Sequence, residues 1–274
     1  GKKLLDGDTS AVDALKKDLA ELRNRKIHLL KSAGFPEDYL EPVYDCPDCK
    51  DTGYIGNKKC HCFKKAIIGL LYDQSNIKKF PVEADFSNFR LDYYPVSHYD
   101  KKTGRSSRSM MEDTLRICHH FIDSFGTEFN NLFFYGDVGV GKTFLSTCIA
   151  KEIMNREYSV LYFSAPQLFN TLAKNAFDKN DIDAHNMCEY IFDCDLLIID
   201  DLGTEYTNAF IASQFFTCIN ERLLHRKSTI ISTNLSLESL ADLYTERSFS
   251  RITSRYSLLK IVGDDIRIKK KLEH

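Results

Sequence analysis

One stretch of the sequence limits the possible folds more than any other. Residues 132–146 read LFFYGDVGVGKTFLS, so a short apolar run passes directly into a loop with three glycines, a lysine and a threonine. The segment from Gly136 to Thr143 fits the pattern G-x-x-x-x-G-K-[ST], with a predicted strand, Leu132 to Tyr135, before it and a predicted helix, Lys142 to Asn155, after it. Glycines let backbone N–H groups turn toward an anion, and the start of a helix adds the positive end of its dipole. The sequence therefore predicts a phosphate-binding loop between a strand and a helix.

The residue types in this loop predict how it holds a nucleotide. Lys142 is expected to reach the β- and γ-phosphates of ATP, and the Thr143 hydroxyl is expected to coordinate Mg²⁺. A glycine-rich turn without a ligand is the alternative, but the flanking strand and helix and a second motif downstream disfavour it. The other predicted nucleotide-binding residues of the loop are Gly136, Asp137, Val138, Gly139, Val140, Gly141 and Phe144.

The second motif is DCDLLIIDDLG, residues 193–203, in which four branched apolar residues precede two aspartates. Such a run is typical of a central parallel strand with both faces covered. Asp200 is expected to hold the Mg²⁺ shell, and Asp201 to orient and deprotonate the attacking water. An ordinary strand that ends in two solvated aspartates is the alternative, which the upstream phosphate loop disfavours.

A third predicted strand, STIISTN from Ser228 to Asn234, ends in an amide. In open parallel sheets, ligands bind at the carboxyl ends of the strands. Asn234 is therefore expected to contact the γ-phosphate or the water, although an asparagine at a strand end is more often a turn residue. Strands and helices alternate through this half of the chain, which predicts an α/β fold with a parallel sheet.

These three motifs, followed by RSFSRITSRY at residues 247–256, resemble in their order the AAA+ ATPases of the bacterial replicative-helicase loader family, the DnaC/DnaI type. The related IstB-like transposition helper ATPases share the same core. The resemblance covers roughly residues 80–268. It implies an AAA+ phosphate-loop core, in which helices sandwich a five-stranded parallel sheet.

The resemblance also implies a role for the arginines near the end of the chain. In this family an arginine from this region enters the ATP site of a neighbouring subunit, which points to Arg255 and, as the next candidate, Arg251. A guanidinium offered in this way stabilises transition-state charge only when the oligomer forms. The alternative is that Arg247, Arg251 and Arg255, spaced four apart, line a solvated helix face. By the same resemblance, Arg267 is expected to act as a further nucleotide sensor.

The chain departs from many AAA+ proteins at Asp201, where they have glutamate. A shorter acid reaches less far toward a water molecule, so we expect slow ATP hydrolysis that oligomerisation or DNA stimulates. Slow turnover suits a switch better than a motor.

Four of the nine cysteines lie together in the segment CPDCKDTGYIGNKKCHC, as Cys46, Cys49, Cys60 and Cys62. Their spacing can place four thiolates around Zn²⁺ in a closed, structural site, with His61 as an alternative ligand. A redox pair or free thiols are the other readings, and no strand–helix pattern nearby supports a redox motif. The remaining five cysteines are expected to be core residues, since an odd count without a signal peptide argues against a disulfide framework.

The segment ahead of the predicted ATPase is expected to form a partner-binding module. Residues 10–33 have apolar side chains at helical spacing, which predicts an amphipathic helix that ends at Gly34. By resemblance to DnaI-type loaders, this helix and the zinc site make up a helicase-binding module. The predicted partition is residues 1–79 for the module, 80–109 for a lead-in or linker with a mobile polar loop, 110–271 for the ATPase domain, and 272–274 for residues of an expression tag.

The net charge of −2 gives no global attraction to nucleic acid. No apolar run approaches ~18 residues and no signal-peptide pattern is present, so we expect a cytoplasmic protein without a membrane span. Single-stranded DNA binding is implied by the resemblance alone, and a core role is the alternative for the phenylalanines. The candidate DNA contacts are Phe163, Lys174, Phe177, Lys179 and Tyr206.

Three functions fit these observations. The first is an ATP-switched loader of the replicative helicase, which assembles as a homo-oligomeric arc or spiral when ATP is bound. The second is an IstB-like transposition helper that binds duplex DNA and a transposase, although those relatives typically lack a zinc module. The third is a nucleotide-binding adaptor without catalysis.

Overall fold

The computed structural model describes residues 10–63, 66, 84–178 and 180–272. The chain divides into two compact units between Cys60 and His61. The predicted module boundary at residue 79 and the last two predicted tag residues lie outside the described part. Within that part, no helix combines the length and the apolar character that a membrane crossing requires.

The first unit consists of a long helix and a small hairpin. Helix α1 is Ser10–Ser32, and the turn after it is closed by Gly34 at φ 80°, in the left-handed region that favours glycine. The predicted helix over residues 10–33 is therefore confirmed to within a residue. Strands β1 (Tyr54–Ile55) and β2 (Lys58–Lys59) pair antiparallel and lie between the two pairs of cysteines.

The second unit is built on a five-stranded sheet in which all neighbouring strands run parallel, in the order β4-β5-β6-β3-β7. Strand β3 is apolar and aromatic and β5 begins with four apolar residues, as expected where both faces of a strand are covered, and β6 between them is buried along its whole length although it reads STIIST. This confirms the predicted α/β fold. The strands are β3 (Leu132–Tyr135), β4 (Val160–Ser164), β5 (Leu196–Leu202), β6 (Ser228–Thr233) and β7 (Ser257–Lys260).

Helices cover the two faces of this sheet and form two buried cores. The helices are α2 (Ser107–Asp123), α3 (Lys142–Asn155), α4 (Ala165–Phe177), α5 (Ile182–Asp193), α6 (Ala209–Leu224), α7 (Leu237–Arg255) and α8 (Ile266–Leu272), with short 3-10 helices at Phe86–Asn88 and Leu91–Tyr93. One core packs α4 to α7 against residues such as Phe133 and Ile199, and the other packs α2 and α3 against Phe134 and Ile198. The alternation of adjacent residues between the two cores follows from the two-residue period of a strand.

Helix α7 is kinked at Thr245, which has φ 77° and ψ 147°. A β-branched residue is rarely found there, since this region of backbone conformation suits glycine. The Thr245 hydroxyl accepts a long hydrogen bond of 3.5 Å from the Ser248 N–H, as at the start of a new helix. The kink therefore separates the first part of α7 from the part that contains Arg247, Arg251 and Arg255.

The polar segment before α2 folds into a closed turn. The Asp100 N–H donates to the Arg105 carbonyl at 2.9 Å, and the Ser107 N–H donates to the His98 carbonyl at 2.7 Å. Asp100 is 5% exposed, and its carboxylate pairs with Lys260 of β7. The segment that the sequence suggests is a mobile loop is thus tied to the edge strand of the sheet.

Candidate nucleotide-binding site

The three predicted motifs meet at one edge of the sheet. Strand β6 lies between β5 and β3, and the strands are parallel, so their carboxyl ends point to the same edge. The phosphate loop follows β3, the two aspartates lie near the end of β5, and Asn234 follows β6. The order of strands therefore brings together residues that are far apart in the sequence.

The glycines of the loop have conformations and neighbours that exclude a side chain. Gly136 has φ 144°, and a Cβ there would lie 2.1 Å from the carbonyl oxygen of Ile261. Gly139 has φ 76°, and a Cβ there would lie 2.1 Å from the carboxylate of Asp265. The loop is thus packed closely against the chain that follows β7, and only glycine fits these positions.

Lys142 lies at the centre of the site and is 4% exposed. Its ammonium donates to the carbonyl oxygens of Gly136 at 2.7 Å and Asp137 at 2.6 Å, and to the side-chain oxygen of Asn234. Burial lowers the pKa of Lys142, while the charges of Asp201 and Asp200 oppose this change. The structure therefore brings together Lys142 and Asn234, the two residues predicted to contact the γ-phosphate.

Thr143 and Asp200 form the predicted Mg²⁺ ligand pair. The Thr143 hydroxyl donates to both carboxylate oxygens of Asp200, at 3.2 and 3.0 Å. Asp200 is 6% exposed and also accepts a hydrogen bond from the Ser232 hydroxyl. A hydroxyl and a carboxylate are hard oxygen ligands of the kind that Mg²⁺ prefers, so this pair fits the ion. Sequence reasoning missed Ser232, although it lies in the STIISTN segment.

A bulge in β5 makes both aspartates available at the same edge. Two adjacent residues of a regular strand point to opposite faces, but the pairing of β5 with β6 shifts between Ile199 and Leu202 and Asp201 has φ 55°. Asp201 consequently lines the cavity, and its N–H donates to the Ser232 hydroxyl at 3.0 Å. Burial raises the pKa of Asp201, and the neighbouring charge of Asp200 raises it further.

The site opens into a cavity of about 440 Å³, a volume within the usual range for small-molecule sites. One part of its lining is the phosphate loop with Asp201 and Asn234. Another part comes from the lead-in and from α8 and combines aromatic rings with cationic side chains. Sequence reasoning missed this role, although the aromatic richness of residues 80–95 was a signal. The residues of this part include Asn88, Phe89, Arg90, Tyr93, Tyr94, Ile266, Arg267 and Lys270.

The predicted arginines lie in two different places. Arg267 lines the cavity of its own chain. Arg251 and Arg255 are exposed near the end of α7 and are not among the cavity-lining residues of the described chain. The Arg251 side chain donates to Asn220 at 3.1 Å, and the Arg255 carbonyl accepts a 3.2 Å hydrogen bond from the Asn131 side chain. An arginine that acts on a neighbouring subunit needs such an exposed position.

The four clustered cysteines form a group that fits a zinc ion. The sulfur atoms of Cys46, Cys49, Cys60 and Cys62 all lie within 4.8 Å of one another. The Gly53 N–H donates to the Cys49 sulfur at 3.3 Å, a contact that favours the thiolate form a metal requires. Four cysteines are a common closed ligand set for structural Zn²⁺. The geometry favours Cys62, and not the exposed His61, as the fourth ligand.

Of the candidate DNA-contacting residues that the structure describes, one is buried and three are exposed. Phe163 is 7% exposed and belongs to the core, as the alternative reading of the sequence allowed. Phe177 and Tyr206 are 76% and 94% exposed, Lys174 is exposed, and Lys179 lies outside the described residues. The Phe177 ring lies 4.9 Å from the ring of Phe210, at the start of α6.

Comparisons with known proteins agree with this architecture. Residues 74–274 match the family model for IstB-like ATP binding proteins. The phage-like element PBSX protein XkdC of Bacillus subtilis is 27% identical, over 81% of this chain and 83% of that protein. The replicative helicase loader DnaC of Escherichia coli K12 is 23% identical, over 71% of this chain and 73% of that protein.

A solved structure of a DnaC helicase loader superposes with a TM-score of 0.51 at 25% identity, over 64% of this chain and 97% of that one. This likeness agrees with the parallel sheet, flanking helices and phosphate loop of the second unit, which make up an AAA+ core. Because the family model covers well over half of the sequence, the chain belongs to the IstB-like ATP-binding proteins, and its core has the AAA+ phosphate-loop ATPase fold.

Proposed function

We propose that this protein is an ATP-dependent loader of a replicative DNA helicase. The observation that supports this most is the match to a replicative helicase loader along most of both chains. That match coincides with a site in which the ATP-binding and Mg²⁺-binding motifs converge. In this proposal, ATP binding and hydrolysis switch the assembly of the loader on the helicase and its release.

In this proposal each residue of the site has a separate role in ATP binding or hydrolysis. Bound Mg²⁺ would supply positive charge to the phosphate oxygens, with Thr143 and Asp200 as its protein ligands. Lys142 would exchange its contacts with loop carbonyls for contacts with the β- and γ-phosphates. Asp201 would orient the attacking water and accept its proton. Asn234, already in contact with Lys142, would register the presence of the γ-phosphate.

The first unit supplies the partner-binding function in this proposal. Helix α1 has exposed leucines at positions 15, 19, 22 and 29, which suits contact with another apolar surface. The zinc site would stabilise the hairpin beside it, since so short a segment has little core of its own. We propose the replicative helicase as the partner of this unit and single-stranded DNA as a ligand of the ATPase domains, which act as a homo-oligomer.

Replacing Asp201 with asparagine is expected to separate ATP binding from hydrolysis. The amide keeps the size of the side chain but cannot accept the proton, so kcat should fall at least about 100-fold. ATP affinity should change little, because Lys142 and the loop remain. The measurement is steady-state phosphate release together with calorimetric ATP binding. Asp193→Asn, an exposed carboxylate at the end of α5, is the matched control, and full activity in Asp201→Asn would exclude Asp201 as the base.

The pH dependence of hydrolysis follows from the same carboxylate. The base must be ionised, and the pKa of Asp201 is raised by burial and by Asp200. The rate should therefore fall on the acidic side at a pH above the ordinary aspartate pKa of about 3.9. The γ-phosphate of ATP also titrates and also changes the rate with pH. The residual rate of Asp201→Asn contains only that second contribution, so the difference between the two pH profiles is the decline due to Asp201.

Mixing two inactive variants tests whether an arginine acts between subunits. Arg255→Ala retains its own nucleotide site, whereas Lys142→Ala lacks that site but still offers Arg255 to a neighbour. Each alone should hydrolyse ATP slowly, and the mixture should recover activity. The same test with Arg251→Ala distinguishes the two candidates, and Arg116→Ala, an exposed arginine of α2, should keep full activity alone. Normal activity of both Arg251→Ala and Arg255→Ala would contradict a role between subunits.

The transposition helper is the second candidate, and the family model itself favours it by name. The two functions differ in partner. Size-exclusion chromatography of the protein with the replicative helicase or with a transposase from the same organism, each with ATP, separates them. The loader proposal predicts co-elution with the helicase alone. Co-elution with the transposase alone would replace the loader with the transposition helper.

A further inference from the structure

The phosphate loop is contacted by a side chain that belongs to none of the sequence motifs. Tyr94 lies in the lead-in and is 1% exposed. Its hydroxyl donates a 2.8 Å hydrogen bond to the main-chain carbonyl of Val140, inside the loop. Val140 is fully buried, and a buried carbonyl needs a donor to replace water. Tyr94 therefore satisfies a loop atom that has no access to solvent.

The same contact fixes the orientation of the next N–H group. A trans peptide is planar, and its carbonyl oxygen and N–H point in opposite directions. When the Val140 carbonyl points to Tyr94, the Gly141 N–H must point away from it. Gly141 has φ 103°, and a Cβ there would lie 2.6 Å from the Tyr94 hydroxyl oxygen. The Tyr94 hydroxyl therefore lies directly against Gly141, and a side chain at this position would displace it.

Tyr94 is itself held in place from several sides. Its ring lies parallel to that of Phe89, with the centroids 5.7 Å apart and an angle of 8°. Its main-chain carbonyl accepts a 3.1 Å hydrogen bond from Arg108 of α2. Lys269 of α8 donates to the carbonyl of the preceding Tyr93 at 3.0 Å. The hydroxyl is therefore presented to the loop by a fixed scaffold.

We propose that Tyr94 is a positioning residue, which aims the Gly141 N–H at the nucleotide phosphates and preorganises the loop before the nucleotide binds. This inference about Tyr94 depends on the proposed function in one respect, which is that a nucleoside triphosphate is the ligand of the site. Tyr94 also lines the cavity, so the residue that contacts the loop lies beside the proposed nucleotide. A donor N–H that is already oriented binds an anion without the cost of turning the peptide.

The test is Tyr94→Phe, which keeps the ring and its contact with Phe89 and removes only the hydroxyl. Affinity is measured for Mg–ATP by calorimetry and for Mg–tripolyphosphate by competition against ATP. Both should weaken by the same factor, roughly tenfold, as expected for the loss of one buried hydrogen bond. The matched control is Tyr158→Phe. The Tyr158 hydroxyl also donates to a main-chain carbonyl, that of Phe125, in the same unit, and its loss should change neither affinity.

The possible outcomes separate this inference from the proposed function. Unchanged affinities in Tyr94→Phe would overturn the inference, and so would weaker ATP binding with unchanged tripolyphosphate binding, because the hydroxyl would then act on the base or ribose. Tripolyphosphate that does not compete with ATP in the unmodified protein would also overturn it, since the loop would not be preorganised. An unmodified protein that binds no ATP would refute the proposed function instead.

Discussion

Replacing Lys142 with alanine is expected to abolish ATP binding at micromolar concentrations, the largest effect of any single change in the ATPase domain. The ammonium is the buried cation of the loop, and hydrogen bonds to charged groups contribute about 1.5–3 kcal/mol each. Loss of its contacts with two phosphates should weaken ATP binding at least about 100-fold, equivalent to about 2.7 kcal/mol. Calorimetric titration with Mg–ATP measures this directly.

Two controls distinguish a loss of the phosphate contacts from a loss of folding. The variant removes a buried donor from the Gly136 and Asp137 carbonyls, so its circular dichroism and melting temperature must be compared with those of the unmodified protein. Lys151→Ala, later in the same helix, is the matched control and should bind ATP normally. A folded Lys142→Ala protein with unchanged ATP affinity would show that residues 136–143 are not the phosphate site.

Loss of zinc is expected to have the second largest effect, and it should leave the phosphate site unchanged. Structural zinc contributes apparent binding free energies of about 10–16 kcal/mol in small domains, more than the hairpin of β1 and β2 could supply. The purified protein should contain about one zinc per chain by elemental analysis, given four cysteine ligands. Cys49→Ser should lose nearly all of the zinc and with it the binding of the helicase.

ATP binding provides the internal comparison for this variant. The phosphate site lies wholly in the second unit, so Cys49→Ser should keep normal ATP affinity. Cys148→Ala, which changes a buried cysteine of α3, should keep both its zinc and its helicase binding. A normal zinc content in Cys49→Ser would contradict the four-cysteine site, and normal helicase binding without zinc would separate the metal from the partner.

The parts of the fold that could be predicted are those specified by short segments. Strand β3 and helix α3 begin and end where the pattern around the phosphate loop places them, because the apolar run, the glycines and the helix formers are adjacent in sequence. The convergence of Asp200 and Asn234 with the loop was predictable for a related reason. Parallel strands in such a sheet present their carboxyl ends at one edge, whatever their order.

The parts that could not be predicted depend on contacts between distant segments. Tyr94 and Val140 are 46 residues apart, and the sequence of neither segment predicts the contact. Arg222 is another example, since it is 1% exposed and donates to the carbonyls of Ile191, Cys194 and Ser228. An arginine in a helix is ordinarily taken as a surface residue, and only the chain topology shows that these carbonyls and that of Phe192 surround it.

The measurement that tests the central claim most directly is helicase loading onto closed circular single-stranded DNA. A closed circle has no end onto which a ring-shaped helicase could thread, so unwinding of an annealed oligonucleotide reports loading. We expect this protein with ATP to increase the unwinding rate, and Lys142→Ala to give no increase. Unwinding that is the same with and without the protein, at concentrations where it binds ATP, would contradict the loader function.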